Sequence, residues 1–133
     1  MTDDEFVAKF EDCTLAAESF HHSDHARMAF LYLCRYPALE AIERFSNSLA
    51  RFAAANGKPG RYNETITWAF LLLIRERIAR AGCRLTWPEF ANKNADLLNW
   101  EDNVLKKYYR NETLSSDLAK STFLLPDKTI ALP

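Results

Sequence analysis

The feature that most constrains the fold is a run of nearly uninterrupted apolar residues in the middle of the chain. Ile66 to Ile74 is apolar at every position except Thr67. Asn63, just before the run, carries a side chain suited to capping the start of a helix. A helix that is apolar on all sides belongs at the centre of a fold. The sequence therefore predicts a buried helix from about Asn63 to Gly82, around which the other elements pack.

Apolar residues at helical spacing predict further helices on both sides of the central one. Ser23 is the expected N-cap of the second helix, and Pro37 suits the first position of the third. Thr86 and Glu89 have the spacing of a capping box at the start of the fifth. Gly57-Lys-Pro-Gly60 predicts a turn. The prediction is an all-α, compact bundle of about six helices. The helical segments span residues 3–10, 23–35, 37–55, 63–82, 86–94, 100–109 and 115–122, with an extended tail over 124–133.

The composition indicates one domain that folds on its own. A length of 133 residues is within the usual range for a single domain and too short for two ordinary ones. Hydrophobic residues make up 48% of the chain and charged residues 26%, as in an average globular protein and unlike a disordered one. The sequence therefore predicts a single helical domain over residues 1–133, with one core and one site.

Charge and residue patterning disfavour several classes of partner. The chain has 17 Lys and Arg against 18 Asp and Glu, so it lacks the positive field that dominates binding to nucleic acid or anionic lipid. Its first residues are acidic rather than basic, and no apolar run approaches the roughly 18 residues of a membrane span. The three cysteines are widely spaced, which is typical of free thiols. The expectation is a cytoplasmic protein that binds neither nucleic acid nor membranes.

The side chains with the most chemical potential are three histidines close together in sequence, His21, His22 and His25. His22 and His25 are three positions apart, so on a helix they project from the same face and could share a metal ion or a substrate. Imidazole is also the side chain best matched to proton transfer near neutral pH. His21 has a different helical direction and is expected to cap the helix or contact water. The alternative is a chance His-x-x-His pair, because two ligands do not make a metal site.

Glu64 is the candidate carboxylate partner of these histidines. It lies in the predicted first turn of the central helix, where the helix dipole favours the anion and burial opposes ionisation. Tyr32 follows His25 by two turns on the same helical face and could wall a small-molecule pocket together with Tyr62 and Trp68. The ordinary interpretation stays open, with Glu64 as a first-turn acid and the three aromatic residues as core.

Several motifs, taken in order, resemble those of a protein family. They are Phe20-His-His-Ser-Asp-His25, Tyr62-Asn-Glu-Thr-Ile-Thr67 with Trp68, Tyr108-Tyr109, Leu114-Ser-Ser116, and Phe123 with Pro126-Asp127. Together they resemble a family of small, largely uncharacterised bacterial helical proteins, whose pattern has an aromatic residue, then His-x-x-His and later Tyr-His-Glu-Thr. The resemblance covers about residues 20–127. It implies that His22, His25 and Glu64 converge.

The chain departs from that family pattern at position 63, where it has Asn63 instead of histidine. The resemblance implies a metal site of three histidines and a glutamate, which is reduced here to His22, His25 and Glu64. Asparagine is a weak ligand for transition metals, but it donates and accepts hydrogen bonds well. A metal-free acid/base or substrate-orienting site is therefore compatible with the change. The resemblance implies no particular reaction.

The hypothesis from the sequence is a small enzyme that performs proton-transfer chemistry, such as isomerisation, elimination, cyclisation or hydrolysis, on a small molecule. His22 and His25 would be the acid/base pair or the ligands of a divalent metal, with Glu64 as their partner and Tyr62 and Asn63 orienting the substrate. No nucleotide-binding glycine loop or nucleophile motif is present. Two alternatives stay open: a non-enzymatic module that binds a small ligand or a partner protein, and a protein of metal storage or sensing. A homodimer is compatible with so small a domain.

Overall fold

The computed structural model describes residues 1–128, and every regular element in that range is helical. The prediction of an all-α bundle is confirmed. None of the helices in this range is both long and apolar enough to cross a membrane. The α-helices are α1 (Asp3–Glu11), α2 (His22–Arg35), α3 (Ala38–Ala55), α4 (Glu64–Ala81), α5 (Trp87–Lys93), α6 (Asn111–Leu114) and α7 (Asp117–Ser121). Short 3₁₀ turns lie at Ala17–Ser19, Pro59–Arg61, Ala95–Leu98 and Val104–Lys107.

The three long helices, α2, α3 and α4, pack against one another and form the core. Helix α4 also contacts α7, and its Leu71 and Ile74 are no more than 1% exposed. The helix is not buried on every side, because Leu72 within the apolar run is 44% exposed. Helix α1 packs across α2 and α3 and places the fully buried Phe10 between them. The predicted central helix therefore exists, with one apolar side chain open to solvent.

The first turn of α4 is held by hydrogen bonds to two parts of the chain. Asn63 Oδ1 accepts a bond from the amide of Ile66 at 2.9 Å, which satisfies an otherwise unpaired donor of the first turn. The Asn63 side-chain amide donates to the Leu114 carbonyl at 2.8 Å. The Thr65 hydroxyl donates to the Thr122 carbonyl at 2.8 Å. The C-terminal segment thus fixes the start of the central helix, and the predicted cap is confirmed.

Helix α2 begins one residue earlier than predicted, and its N-cap is His21 rather than Ser23. The Asp24 carboxylate accepts a hydrogen bond from the His21 backbone amide at 3.0 Å, which is half of a capping box. This bond selects position 21 over position 23 as the cap. His22 is consequently the first helical residue. Similarly, Pro37 is the N-cap of α3 rather than its first residue.

The predicted helix over residues 100–109 is wrong. A loop leads there into the short 3₁₀ turn Val104–Lys107. The Asp102 amide donates to the Asn99 side chain and the Leu105 amide to the Asn103 side chain, each at 3.1 Å. These local side-chain acceptors satisfy the backbone donors that a helix would have used.

The C-terminal part agrees with the prediction more loosely. The helix predicted over 115–122 is shorter, because Ser116 caps α7 by accepting a bond from the Ala119 amide at 3.1 Å. Residues 123–128 are non-helical, as expected of a tail. The rest of the predicted tail, 129–133, lies outside the described residues. The predicted turn after α3 is confirmed and continues into Pro59–Arg61.

Candidate functional site

A cavity of about 620 Å³ lies where the starts of α2 and α4 meet a face of α3. This volume is within the range of pockets that bind small molecules. Most of the wall is apolar, and small residues on one helix are matched with large ones on the others. The apolar wall includes Ala26 and Ala29 of α2, Phe45 and Phe52 of α3, and Phe70 and Leu71 of α4.

Four of the predicted site residues line this cavity. His22 and His25 come from the first turn of α2, and Tyr62 and Asn63 from the segment that leads into α4. Two stretches of chain some forty residues apart in sequence therefore contribute polar groups to one cavity. His21 also belongs to the lining, although its side chain is exposed.

The imidazole of His22 is oriented by the backbone. Its Nε2 lies 2.8 Å from the Leu97 carbonyl oxygen, and because a carbonyl can only accept, Nε2 carries the proton. The remaining nitrogen, Nδ1, then has the free lone pair. The ring centroid is 4.9 Å from that of Phe70 and 5.1 Å from that of Trp100. Burial lowers the pKa of His22, and the bond to Leu97 partly opposes this.

His25 lies deeper and packs on an aromatic ring. Its imidazole stacks on Phe20 with centroids 4.2 Å apart. Burial and, to a smaller extent, the nearby His22 lower the pKa of His25 to about 4, against the opposing influence of the Phe20 backbone and Asp24. At neutral pH this ring is uncharged. An uncharged imidazole both donates and accepts hydrogen bonds, so it can orient a ligand without an ion pair.

Glu64 does not line the cavity as far as residues 1–128 show, and its carboxylate is engaged elsewhere. It accepts a hydrogen bond from the Tyr62 hydroxyl. Burial raises the pKa of Tyr62, and the bond to Glu64 raises it further, so the phenol stays protonated. The predicted carboxylate therefore contacts the cavity indirectly, by holding a tyrosine that does line it.

Tyr32 and Trp68 lie away from the cavity. Tyr32 is 1% exposed, and its hydroxyl donates to Glu11 at 2.7 Å. Seven residues separate it from His25, which is about 10 Å along a helix, so sharing a face did not bring the two to one site. Trp68 instead stacks on Phe123 of the C-terminal segment, with ring centroids 5.5 Å apart.

The described part of the chain, residues 1–128, holds no group of three or more His, Cys, Asp or Glu side chains that could bind a metal ion. His22 already uses Nε2 to bond Leu97, and Glu64 bonds Tyr62. Structural and catalytic zinc sites use at least three protein ligands. The metal-binding alternative for His22, His25 and Glu64 stays a prediction.

The sequence interpretation did not identify the residues around the mouth of the cavity. Lys58 and Arg61, both exposed, line it from the turn between α3 and α4, and Glu18 lines it from the turn before α2. Trp100, 48% exposed, lines it beside His22. The glycines around Lys58 signal a loop that leads to Asn63. Trp100 gave no such signal, because its segment was predicted to be helical.

Fold and site together define an all-helical domain with a mainly apolar cavity that holds two histidines. No family model matches the chain, and neither the curated proteins nor the solved structures include a significant match to it. The family resemblance of its motifs therefore stays a prediction. The chemistry of the cavity has to be argued from the residues that line it.

Proposed function

We propose that the protein is a small enzyme that catalyses proton transfer on a small molecule bound in this cavity. The observation that carries the proposal is the arrangement of His22, whose Nε2 proton is committed to the Leu97 carbonyl at 2.8 Å. Fixing one nitrogen through a backbone carbonyl defines the tautomer and leaves the other nitrogen as a base. General acid/base catalysis needs a proton acceptor that is held in place and uncharged at the working pH.

The two histidines have different roles in this proposal. His22 Nδ1 accepts a proton from the substrate, and the imidazolium then returns it to another substrate atom in an isomerisation or to the leaving group in an elimination. The Leu97 carbonyl stabilises the charge on the ring through the retained Nε2 bond. His25, with its pKa lowered to about 4, is too weak a base for this step near neutral pH. It orients the substrate as a neutral hydrogen-bonding group.

Tyr62 and Asn63 complete the polar part of the wall. The Tyr62 ring and oxygen contact the substrate, and Glu64 acts as a positioning residue because it holds the phenol through a hydrogen bond. Asn63 fixes the wall itself, since its side chain ties α4 to the C-terminal segment. These groups are therefore held in position before a substrate binds, and such positioning favours catalysis.

A second candidate function is a module that binds a small ligand without transforming it. The mainly apolar wall favours this candidate, because ligand sites are lined chiefly by apolar and aromatic groups with a few polar ones. In such a module both histidines would be hydrogen-bonding groups only. The two candidates differ in whether the bound molecule exchanges atoms with solvent.

The experiment is solvent-isotope incorporation. The purified protein is incubated with a library of small metabolites in a mixture of D₂O and ¹⁸O-labelled water, and the compounds are analysed by mass spectrometry. Proton-transfer chemistry at carbon introduces deuterium, and hydrolysis introduces ¹⁸O. The wild type should label at least one compound. His22→Gln should slow the labelling by about 100-fold or more, as expected on losing a general base, while its helical circular dichroism shows that it is folded.

Lys93→Gln is the control, because Lys93 lies at the end of α5 and does not line the cavity. It should label at the wild-type rate. Equal rates in wild type and His22→Gln would contradict the role of His22. If no compound is labelled although some bind the protein, the module without catalysis replaces the enzyme.

A further inference from the structure

The charged groups that line the cavity all belong to exposed residues, and cations outnumber anions among them. Lys58 precedes the turn Pro59–Arg61, Arg61 is its last residue, and Glu18 belongs to Ala17–Ser19. Five ion pairs form within residues 1–128, and none includes Lys58, Arg61 or Glu18. The two cations are therefore not neutralised by the described chain. A ligand that reaches the mouth meets two positive groups that form no ion pair within residues 1–128.

Within residues 1–128, no charged side chain lines the buried part of the cavity. His25 is neutral near pH 7, and the Tyr62 phenol is protonated and bonded to Glu64. Asp24, whose charge acts on His25, does not line the cavity and accepts a hydrogen bond from the His21 amide. Asn56, Asn63 and Thr67 add uncharged polar groups to the wall. The rest is aromatic and aliphatic, and the half-exposed Trp100 extends it toward solvent. A molecule that fits must bury a neutral, apolar body inside. Its charge, if it has one, must stay at the mouth.

We propose that the cavity takes an organic acid with an aromatic or otherwise apolar body, whose carboxylate lies at the mouth between Lys58 and Arg61. This rests on the proposed function, since it names the substrate class of the same cavity. Arg61 suits a carboxylate because guanidinium can bind both oxygens at once, and Lys58 adds a point charge. The apolar body packs against Phe45, Phe52 and Trp100. Neutral imidazoles inside then face the uncharged part of the molecule, where proton transfer would occur.

The test compares two probes that differ only in charge, 2-naphthoate and 2-naphthamide, by isothermal titration calorimetry at low ionic strength. The wild type should bind 2-naphthoate at least about threefold more tightly, the effect expected of two exposed ion pairs. Lys58→Gln combined with Arg61→Gln should abolish that preference and leave the affinity for 2-naphthamide unchanged. Both residues are exposed, so the double variant should fold. The charge-matched control, Lys93→Gln with Lys107→Gln, removes two exposed cations that do not line the cavity and should retain the preference.

A cavity-filling variant separates the two proposals. Ala53 lines the cavity and is only partly buried, so Ala53→Trp should block both probes and still fold. If 2-naphthamide binds the wild type as tightly as 2-naphthoate and Ala53→Trp blocks both, the acid class is overturned and the cavity remains a binding site. A preference for 2-naphthoate that survives in the Lys58 and Arg61 double variant also overturns the proposal. Failure of both probes to bind overturns the binding cavity on which both proposals rest.

Discussion

The two ends of helix α2 differ in how completely the space around them is filled by side chains. Near its C-terminal end, a closed cluster holds Tyr32 and Phe10, which are at most 1% exposed, and the buried Ser48, with Glu11 at its exposed edge. The Tyr32 hydroxyl there donates to Glu11 at 2.7 Å and lies 3.5 Å from the Ser48 hydroxyl. Near its N-terminal end, polar side chains line the cavity instead. The closed cluster is a satisfied core, and only the open end presents groups to a ligand.

The difference between the two ends follows from side-chain size. Helix α2 presents Ala26 and Ala29 to the cavity, where a core would normally carry larger residues. Protein interiors are otherwise packed to the density of organic crystals. The small side chains of Ala26 and Ala29 thus leave a cavity of about 620 Å³ between the larger residues around it. We infer that the closed cluster contributes more to the free energy of unfolding than the residues around the cavity do.

The largest expected effect is a loss of stability on truncating Phe10, which should exceed the loss on truncating Phe70. Phe10→Ala should lower the free energy of unfolding by about 3 to 5 kcal/mol, because a fully buried ring leaves a new cavity among other aromatic rings. Phe70→Ala should cost at least about 1 kcal/mol less, since Phe70 already borders empty space and loses fewer contacts. Urea denaturation at pH 7 measures both. Equal losses would mean that the cavity is filled or collapsed in solution.

The next effect is the acid sensitivity of the open end. The pKa of His25 is near 4 in the folded protein and 6.5 in the unfolded chain, so the unfolded chain binds the proton first. Stability is therefore complete above about pH 6.5 and decreases as the pH falls toward 4, by roughly 3 kcal/mol from this residue. His25→Gln should remove that part of the decrease. Denaturation between pH 7 and 4 checks it, and identical pH profiles for both proteins would contradict it.

A smaller loss is expected where the cavity meets the C-terminal segment. Asn63→Ala removes a cap bond to Ile66 and leaves the Leu114 carbonyl without its partner, for a combined loss of about 2 kcal/mol. Asn63→Ser retains an acceptor for the Ile66 amide but is too short to reach the Leu114 carbonyl, so it should lose about half as much. Thermal unfolding distinguishes them. Equal losses would show that the cap bond to Ile66 contributes nothing.

Much of the helical order could be predicted because its signals are local. Three of these signals act within a few residues, and each appears in the structure: the apolar run from Ile66 to Ile74, the Asn63 cap and the Thr86 capping box. The helix predicted over 100–109 failed for an equally local reason. Asn99 and Asn103 bind backbone amides there more effectively than a helix would.

The composition of the site was harder to predict because it depends on tertiary placement. Helical spacing places His22 and His25 on one face, but it does not say which end of α2 is hollow. It therefore grouped Tyr32 with them, although that residue is sealed in the closed cluster. The direction of the Glu64 carboxylate depends on its bond to Tyr62. Periodicity also cannot show that Trp100 returns to the cavity from a distant loop.

The finest comparison uses two tyrosines that each donate a hydrogen bond to a glutamate. Tyr32 bonds Glu11 in the closed cluster, and Tyr62 bonds Glu64 beside the cavity. Tyr32→Phe should lower the free energy of unfolding by about 1 kcal/mol. It removes the hydroxyl that lies beside the buried Ser48, and the Ser48 hydroxyl then loses this neighbour. Tyr62→Phe should cost less than about half of that, since Glu64 is partly exposed and water can replace the lost donor. Urea denaturation of both variants, with Tyr108→Phe as a control, measures the two losses. If Tyr62→Phe proved the more destabilising, its hydroxyl would be part of a closed core, and the distinction between the two ends of α2 would fail.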